Sequence, residues 1–281
     1  MVQLPRNLHR FASGALVALG LPLVVFDAAL SQENVDVELV LAVDVSLSMS
    51  PGELEIQRRG YAAALSHELV IRAILDGAYG KIAVTYFEWA GTFSQRIVVP
   101  WTVIASAEDA RRVASQLSAM PPNSARRTSI SGALQFAGDL FAESRFNGSR
   151  RVIDVSGDGP NNQGPPVVGV RDALVSDGIT INGLPLMTSG GLATSFDVDD
   201  LDLYYRECVI GGPGAFMVPV NDWSQFPDAI RRKLVLELAG ADERPAAADT
   251  GVPVLFVQSS AYDCQVGEKM WQNRSWIYRD P

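Results

Sequence analysis

From residue 35 onward, the spacing of hydrophobic and polar positions alternates between strand-like and helix-like segments. The run from Val37 to Val43 is almost continuously apolar, which is typical of a strand covered on both faces. Further strand-like runs occupy residues 81–90, 95–104, 151–156 and 179–187, with a shorter run at 215–220. The runs on either side of the Gly91 turn are predicted to form a hairpin at a sheet edge.

Helical periodicity separates these strands. Apolar residues at helical spacing predict helices over residues 51–75, 107–119, 130–141, 167–177 and 226–238, and a short helix at 199–208. The first begins with a capping box, in which Ser50 is the cap, Pro51 the first helical residue and Glu53 the residue that reaches back. This order of elements predicts an α/β fold: a doubly wound, mostly parallel sheet with helices on both faces, in three layers of Rossmann type. Ligands of such folds bind beyond the carboxyl ends of the strands.

The first 31 residues have the features of a secretory signal peptide. Arg6 and Arg10 precede an apolar run over residues 11–26, and small residues follow up to Ser31, where we expect cleavage. The alternative is an uncleaved membrane anchor, but this run is shorter than the roughly 20 residues that a bilayer span needs. We therefore expect a periplasmic or secreted protein with no stable membrane anchor after cleavage.

The rest of the chain is predicted to form one domain and an extension. Residues 32–240 contain the alternating strands and helices, whereas residues 241–249 have the composition of a linker. The extension over residues 241–281 carries Trp271, Trp276 and Tyr278, so we expect it to pack against the domain.

Cys208 and Cys264 are the only two cysteines of the chain. Because exported proteins keep disulfides, we predict that these two cysteines are bridged and tie the extension to the domain. The alternative is a pair of buried thiols.

Composition narrows the range of functions. With 32 acidic and 23 basic side chains, the net charge of -9 argues against nucleic-acid binding, which requires Lys and Arg to neutralise phosphates. His9 lies in the predicted signal peptide, so the mature chain keeps one histidine and two cysteines, which are too few for a structural zinc site with four such ligands. Oxygen atoms must therefore bind any metal.

The segment Asp44-Val45-Ser46-Leu47-Ser48 lies where the first strand ends and the first helix approaches. Its carboxylate and two hydroxyls can face a common point, and such small, hard oxygen donors suit Mg²⁺, which keeps several waters and needs few protein ligands. The alternative is that Ser46 and Ser48 cap the helix, but Ser50 already fills that role.

Two later segments add polar residues at the ends of elements. Thr128, in RTSISGAL, stands where a helix begins, and Asp158, in VIDVSGDG, follows the strand at 151–156. Asp-x-Ser-x-Ser after an apolar strand, a later Thr before a helix and an Asp-Gly after the next strand together resemble the von Willebrand factor type A domain with its metal-ion-dependent adhesion site. This resemblance covers roughly residues 35–240. The stretches SGDGPNNQG and YYRECVIGGPGAF resemble, more narrowly, a group of secreted proteobacterial proteins known only as a domain of unknown function.

The resemblance implies a role for each of these residues. Ser46 and Ser48 are implied as direct hydroxyl ligands of a divalent cation, Mg²⁺ or else Mn²⁺ or Ca²⁺. Thr128 is implied as a third hydroxyl, used when a partner is bound, and Asp44 and Asp158 as carboxylates that act largely through water. A cation that faces mostly neutral ligands keeps a strong field, so a Glu or Asp exposed on a partner protein can complete its coordination. The resemblance therefore implies a protein-binding module and not an enzyme.

One position departs from the family pattern. Where the family usually has Thr-Asp-Gly, this chain has Gly157-Asp158-Gly159. The acid is retained, but the neighbouring hydroxyl contact is either lost or moved to Ser156. Asp154 is a competing acid, and its position inside an apolar strand favours a structural role.

Enzymatic alternatives fit the sequence less well. A Ser-His-Asp triad would have to use His67, which is predicted to lie inside the first helix, away from the candidate serines. Dehalogenase-like phosphoryl transfer needs a second acid where Ser46 stands, and no phosphate-binding Gly-x-x-x-x-Gly-Lys loop occurs. Two alternatives to the binding module stay open: a metal-dependent hydrolase that uses the same oxygen cluster, and a scaffold without metal.

Overall fold

A computed structural model describes residues 32–121, 123–188, 198–239, 255–256 and 262–277. The signal peptide predicted for residues 1–31 and the linker predicted for residues 241–249 lie outside the described residues, as does Tyr278.

The described residues form seven strands and eight α-helices. The strands are β1 (Glu33–Asp44), β2 (Ile82–Trp89), β3 (Gln95–Ile104), β4 (Phe146–Gly157), β5 (Ile179–Pro185), β6 (Phe216–Met217) and β7 (Leu255–Phe256). The helices are α1 (Pro51–Leu65), α2 (Glu68–Leu75), α3 (Ala107–Ala119), α4 (Ile130–Ala142), α5 (Val167–Ser176), α6 (Leu201–Tyr204), α7 (Phe226–Leu238) and α8 (Val266–Ile277). A π-helix, Tyr205–Val209, continues directly from α6.

The strands form one sheet in the order β3-β2-β1-β4-β5-β6-β7. The five inner strands run parallel, and the two edge strands β3 and β7 pair antiparallel with their neighbours. β1 is an inner strand that pairs with β2 on one side and β4 on the other. The carboxyl ends of β1 and β4 are therefore adjacent, which positions the site described below.

Two hydrophobic cores cover the sheet, one on each face. Side chains from Val37, Leu39 and Leu41 pack with α1, α2, α3 and α7 in the first core. Val40 and Ala42, which point to the other face, pack with α4, α5, α6 and the π-helix in the second core. Since successive side chains of a strand alternate between faces, β1 must be apolar on both, and this explains its continuous hydrophobic run. The α/β, doubly wound, three-layer prediction is confirmed.

Two predicted elements differ from the structure. The single helix predicted over residues 51–75 is wrong, because the chain breaks into α1 and α2 at Ser66 and His67. His67 caps α2, and its Nδ1 accepts a hydrogen bond from the backbone N–H of Leu69 at 3.2 Å. Within the apolar run at 215–220, only Phe216 and Met217 form a strand.

The C-terminal extension contacts the domain at several points. A disulfide joins Cys208 in the π-helix to Cys264, just before α8. The Glu268 carboxylate on α8 accepts a hydrogen bond from the Asn161 amide at 2.7 Å, and the Arg127 guanidinium lies over the Trp271 ring at 3.1 Å from its centre. The described residues include no helix with the length and apolar character that a membrane crossing demands.

Candidate functional site

The site lies at the carboxyl ends of β1 and β4. Asp44 is the last residue of β1, and Asp158 directly follows β4. Val43 and Ser156 are register partners in the parallel pairing of these strands, so the two acids leave the sheet side by side. In doubly wound sheets, ligands bind beyond this edge.

Asp44, Ser46, Ser48 and Asp158 form one hydrogen-bonded cluster. The backbone N–H of Ser46 donates to Asp44 Oδ1 at 2.7 Å, which turns the loop after β1 back towards the strand end. The Ser46 and Ser48 hydroxyl oxygens lie 2.9 Å apart. The Ser48 hydroxyl donates to Asp158 Oδ1 at 2.8 Å, and the Ser46 hydroxyl is 3.4 Å from the same oxygen. The structure thus brings together four of the five residues that the sequence singled out.

Asp44 is fully buried, and its Oδ2 atom has no hydrogen-bond partner among the described residues. Burial raises the pKa of the Asp44 carboxyl well above its usual range, and the nearby charge of Asp158 raises this pKa further. The hydrogen bond from Ser46 opposes both effects. A buried carboxylate beside a second acid is costly unless a positive charge compensates it. The cluster therefore has the electrostatics of a cation site.

The loop that carries the serines is held from both ends. Ser50 and Glu53 form the predicted capping box at the start of α1, with the Ser50 N–H donating to Glu53 Oε2 at 2.7 Å. The Gln57 amide donates to the Asp44 backbone carbonyl at 2.8 Å. Because Ser50 caps the helix, the Ser46 and Ser48 hydroxyls are left to face Asp158.

Thr128 lies on a neighbouring loop, just before Ser129, the cap of α4. Its backbone N–H donates to Asn162 Oδ1 at 3.0 Å, and its carbonyl accepts from the Asn162 N–H at 2.9 Å. Ala125, on the same loop, donates its N–H to the Val45 carbonyl at 3.1 Å. These bonds hold the Thr128 loop against the serine loop on one side and the loop after β4 on the other.

Gly157 creates space for a residue that sequence reasoning missed. A β-carbon at position 157 would lie 2.8 Å from the Tyr205 hydroxyl oxygen and 2.9 Å from Asp44 Oδ2, which are distances that real β-carbons do not reach. Tyr205 is fully buried on the π-helix. Nothing in the spacing of the sequence indicates this contact, because it depends on how the π-helix packs against β4.

Ser156 does not supply the hydroxyl that the Gly-Asp-Gly departure removes. Ser156 and Asp154 alternate with Gly157 along β4, so they point to the opposite face of the sheet. On that face, Asp154 Oδ1 lies 2.6 Å from Lys233 Nζ on α7. The structural role expected for Asp154 is confirmed, whereas the alternative position of the hydroxyl at Ser156 is wrong.

Exposed apolar side chains lie on the serine loop and on the turn between β2 and β3. Leu47, between the two serines, is 46% exposed, and Phe93, in the turn between β2 and β3, is 97% exposed. This turn packs on the Thr128 loop: a β-carbon at Gly91 would lie 2.9 Å from the Arg126 carbonyl and 3.3 Å from the Arg127 β-carbon.

A cleft of about 280 Å³ opens between the Thr128 loop, the loop after β4 and α8. Its lining includes Arg127, Asn162, Gln163, Glu268 and Trp271. Burial lowers the pKa of the Arg127 guanidinium, and the charge of Arg126 lowers it further. A carboxylate bound in this cleft would offset the repulsion between the positive charges of Arg126 and Arg127.

The donor set of the cluster differs from that of a metal site built only from acids, histidines and cysteines. The part of the chain that the structure describes contains no group of three or more His, Cys, Asp or Glu side chains placed to hold a metal. Here two carboxylates act with serine hydroxyls, which are hard oxygen donors that suit Mg²⁺.

Comparison with known sequences gives a family without an assigned activity. A family model described as "Protein of unknown function (DUF1194)" matches residues 34–242. No curated protein matches the chain.

Solved structures share the fold at low sequence identity. The pilus adhesin SpaC from Lactobacillus rhamnosus GG is 10% identical, with a TM-score of 0.54 over 73% of this chain and 31% of the adhesin. Proximal thread matrix protein 1 from the mussel byssus, described with a zinc-occupied MIDAS motif, is 15% identical, with a TM-score of 0.50 over 74% of this chain and 48% of that protein. A von Willebrand factor type A protein from Catenulispora acidiphila is 14% identical, with a TM-score of 0.49 over 73% of this chain and 43% of that one. The present chain thus spans less than half of each of these proteins.

Proposed function

Since the chain belongs to the family described as "Protein of unknown function (DUF1194)" and has a fold like that of von Willebrand factor type A domains, we propose that it is an exported protein-binding module. In this proposal the module holds a divalent cation, Mg²⁺ by preference, at Asp44, Ser46, Ser48 and Asp158. The cation then binds an acidic side chain of a partner protein.

The observation that carries this proposal is the unpaired, buried oxygen of Asp44 beside a second carboxylate. Asp44 Oδ2 has no hydrogen-bond partner in the described part of the chain, and Asp158 adds a like charge nearby. A divalent cation would offset both charges, directly or through its bound waters. The Ser46 and Ser48 hydroxyls, 2.9 Å apart, lie where they can share this cation.

The donor set also supports recognition of an acid. Two serine hydroxyls add no negative charge, so a cation bound here keeps an affinity for one more anionic oxygen. In this proposal Thr128, whose loop is held against the serine loop by the bond from Ala125 to Val45, contributes its hydroxyl when a partner arrives. Ca²⁺ usually takes more ligands than these side chains offer, and zinc prefers His and Cys, so Mg²⁺ or Mn²⁺ fits best.

The surface around the cluster suits a protein partner. Phe93 is 97% exposed on a turn that is fixed by a hydrogen bond from the Thr92 N–H to Gln163 Oε1 at 3.0 Å. A large apolar side chain presented on a rigid turn is a typical feature of an interaction site. Arg126 and Arg127 place positive charge beside it, which favours an acidic partner.

The hydrolase alternative gains no support from the structure. His67 caps α2 through a bond to Leu69 and is not part of the cluster. The similar structures with TM-scores of 0.54 and 0.50 are named as an adhesin and a matrix protein.

Calorimetric titration of Mg²⁺ and Mn²⁺ into metal-stripped mature protein tests the proposal. We expect saturable binding in the wild type that is lost in Asp44→Ala. Asp139→Ala removes an exposed carboxylate from α4, so it is a matched control that should bind like the wild type. Equal binding by the wild type and Asp44→Ala would contradict the proposal. An absence of binding in the wild type, with and without acidic peptides, would favour the scaffold without metal.

A further inference from the structure

Tyr205 buries a hydroxyl group that has no hydrogen-bond partner among the described residues. Asp44 Oδ2, in the proposed cation site, is also a buried polar atom without a hydrogen-bond partner among the described residues. Burial raises the pKa of the Tyr205 hydroxyl well above its usual range, and the nearby charge of Asp44 raises this pKa further. The hydroxyl is therefore a neutral hydrogen-bond donor. Unpaired buried polar groups in native proteins call for an explanation, such as a missing water or ion.

Both atoms converge on Gly157. The point where a β-carbon of residue 157 would stand is 2.8 Å from the Tyr205 hydroxyl oxygen and 2.9 Å from Asp44 Oδ2. No side chain fits there while both groups hold these positions. Gly157 and Tyr205 are therefore mutually dependent: the tyrosine hydroxyl occupies space that any side chain at position 157 would need.

A local departure from regular helix geometry places Tyr205. It is the first residue of the π-helix Tyr205–Val209, which follows α6. The preceding Tyr204 points elsewhere, since its hydroxyl oxygen accepts a hydrogen bond from the Asn161 N–H at 3.1 Å. π-helical turns occur frequently at functional sites, because their extra residue redirects side chains.

We infer that Tyr205 is a positioning residue of the cation site, and this inference rests on the proposed function. Its hydroxyl donates a hydrogen bond through one bound water to Asp44 Oδ2 and orients this carboxylate towards the cation. The phenol thereby takes over the task of the hydroxyl that a threonine at position 157 would supply. Two arrangements can thus supply a hydroxyl to Asp44. One combines Gly157 with the Tyr205 hydroxyl, and the other combines a hydroxyl residue at position 157 with a residue at 205 that lacks one.

A double-mutant cycle read out by Mg²⁺ calorimetry tests this inference. We expect Tyr205→Phe to weaken Mg²⁺ binding by about tenfold or more, which is the range for residues that orient metal ligands. Gly157→Thr alone should also weaken binding, because the new side chain displaces Tyr205 or Asp44. In the double variant Tyr205→Phe with Gly157→Thr, the contact with the Tyr205 hydroxyl is gone, and Asp44 Oδ2, the end of a side chain 2.9 Å from the new β-carbon, has to shift by only a few tenths of an ångström. The threonine hydroxyl can then take over the hydrogen bond to Asp44, so affinity should recover beyond what the single variants predict.

Tyr61→Phe is the matched control. Tyr61 is also fully buried with an unpaired hydroxyl among the described residues, but it packs in the core on the opposite face of the sheet. Its removal should leave Mg²⁺ affinity unchanged. Thermal melting of each metal-free variant separates an effect on the site from a loss of the fold, and Tyr205→Phe should melt within a few degrees of the wild type.

The outcomes distinguish the two proposals. Wild-type protein that binds no Mg²⁺ would remove the proposed function and this inference with it. Wild-type protein that binds Mg²⁺ no more tightly than Tyr205→Phe would overturn the inference and leave the proposed function intact. A loss of affinity in Tyr205→Phe without any recovery in the double variant would also overturn it. So would equal recovery in the double variant Tyr205→Phe with Gly157→Val, which fills the same space without a hydroxyl, because relief of the clash at position 157 would then explain the recovery.

Discussion

Lys233 Nζ lies 2.6 Å from Asp154 Oδ1, with both side chains fully buried between β4 and α7. Lys233 also pairs with Glu237, one turn further along α7. The Asn182 amide donates to Glu237 Oε1 at 3.0 Å and thereby extends the network to β5. One cation thus faces two acids in a region without solvent contact, on the side of β4 opposite the candidate site.

Removing Lys233 should destabilise the fold strongly. Lys233→Met leaves two buried acids without a positive charge, and such losses typically cost about 3–5 kcal/mol of unfolding free energy. Arg231→Met, which removes a pair with Asp228 on the exposed side of the same helix, should cost less than about 1 kcal/mol. Urea unfolding followed by circular dichroism measures both values. Equal losses in the two variants would mean that the buried network adds nothing beyond a surface pair.

Glu237 should make stability depend on pH. Burial, followed by the charge of Asp154, raises the pKa of the Glu237 carboxyl to about 7 in the folded protein. The unfolded chain releases this proton near pH 4.5, so the stability contributed by protonated Glu237 is present below that pH and is lost as pH rises towards 7. We expect Glu237→Gln to flatten the decline in unfolding free energy between pH 5 and 7. Urea midpoints across this range test the expectation, and an unchanged slope would contradict it.

Phe93 should matter for partner binding but not for folding. Phe93→Ser removes a side chain that is 97% exposed, so the unfolding free energy should change by less than about 0.5 kcal/mol. Mg²⁺ affinity should also stay unchanged, because Phe93 lies in the turn between β2 and β3 and not in the cluster.

A random peptide library displayed on phage, bound in Mg²⁺ and eluted with EDTA, provides the binding measurement. We expect the selected peptides to carry an acidic residue near an apolar one, and to bind Phe93→Ser about tenfold more weakly, as for a residue at the centre of an interface. Tyr79→Ser is the control, because Tyr79 is 49% exposed and donates its N–H to Asp36, in the first half of β1 and away from the cluster. Equal binding by Phe93→Ser and the wild type would exclude Phe93 from the interface.

The disulfide should contribute substantially to stability. Cys208 and Cys264 are 56 positions apart, and a bridge that closes such a loop typically stabilises a fold by about 2–4 kcal/mol. The double variant Cys208→Ser with Cys264→Ser should lose this amount in urea unfolding, with no further loss on addition of a reducing agent. A wild type whose unfolding midpoint does not respond to reduction would contradict the expected contribution.

The elements that local sequence determines were predictable. The predicted bounds of the helix at 107–119 are those of α3, and the apolar run of β1 reflects burial on both faces. The break between α1 and α2 was not predictable, because no Gly or Pro marks it and Leu65 and Leu69 keep helical spacing across it. His67 makes this break by capping α2, a role that periodicity does not reveal.

The residues of the candidate site also fall into those that the sequence indicated and one that only the structure reveals. Asp44, Ser46 and Ser48 lie in one short segment, and the resemblance to the von Willebrand factor type A domain implied that Asp158 would join them. Tyr205 could not be predicted, because its approach to Asp44 requires both the π-helix and the absence of a side chain at Gly157. A resemblance to a family supplies the positions that relatives share, whereas a compensating residue from another element becomes visible only in three dimensions.

The bridge between Cys208 and Cys264 also decides what a protease can release. A single cut anywhere between these cysteines would divide the polypeptide without separating its two pieces, since the disulfide still joins them. Helix α8, with Glu268 on Asn161 and Trp271 under Arg127, would stay beside the Thr128 loop. Such a nicked protein would run as one species on a nonreducing gel and as two on a reducing gel. Cleavage between the two cysteines would therefore leave Glu268 and Trp271 in the lining of the cleft beside the Thr128 loop.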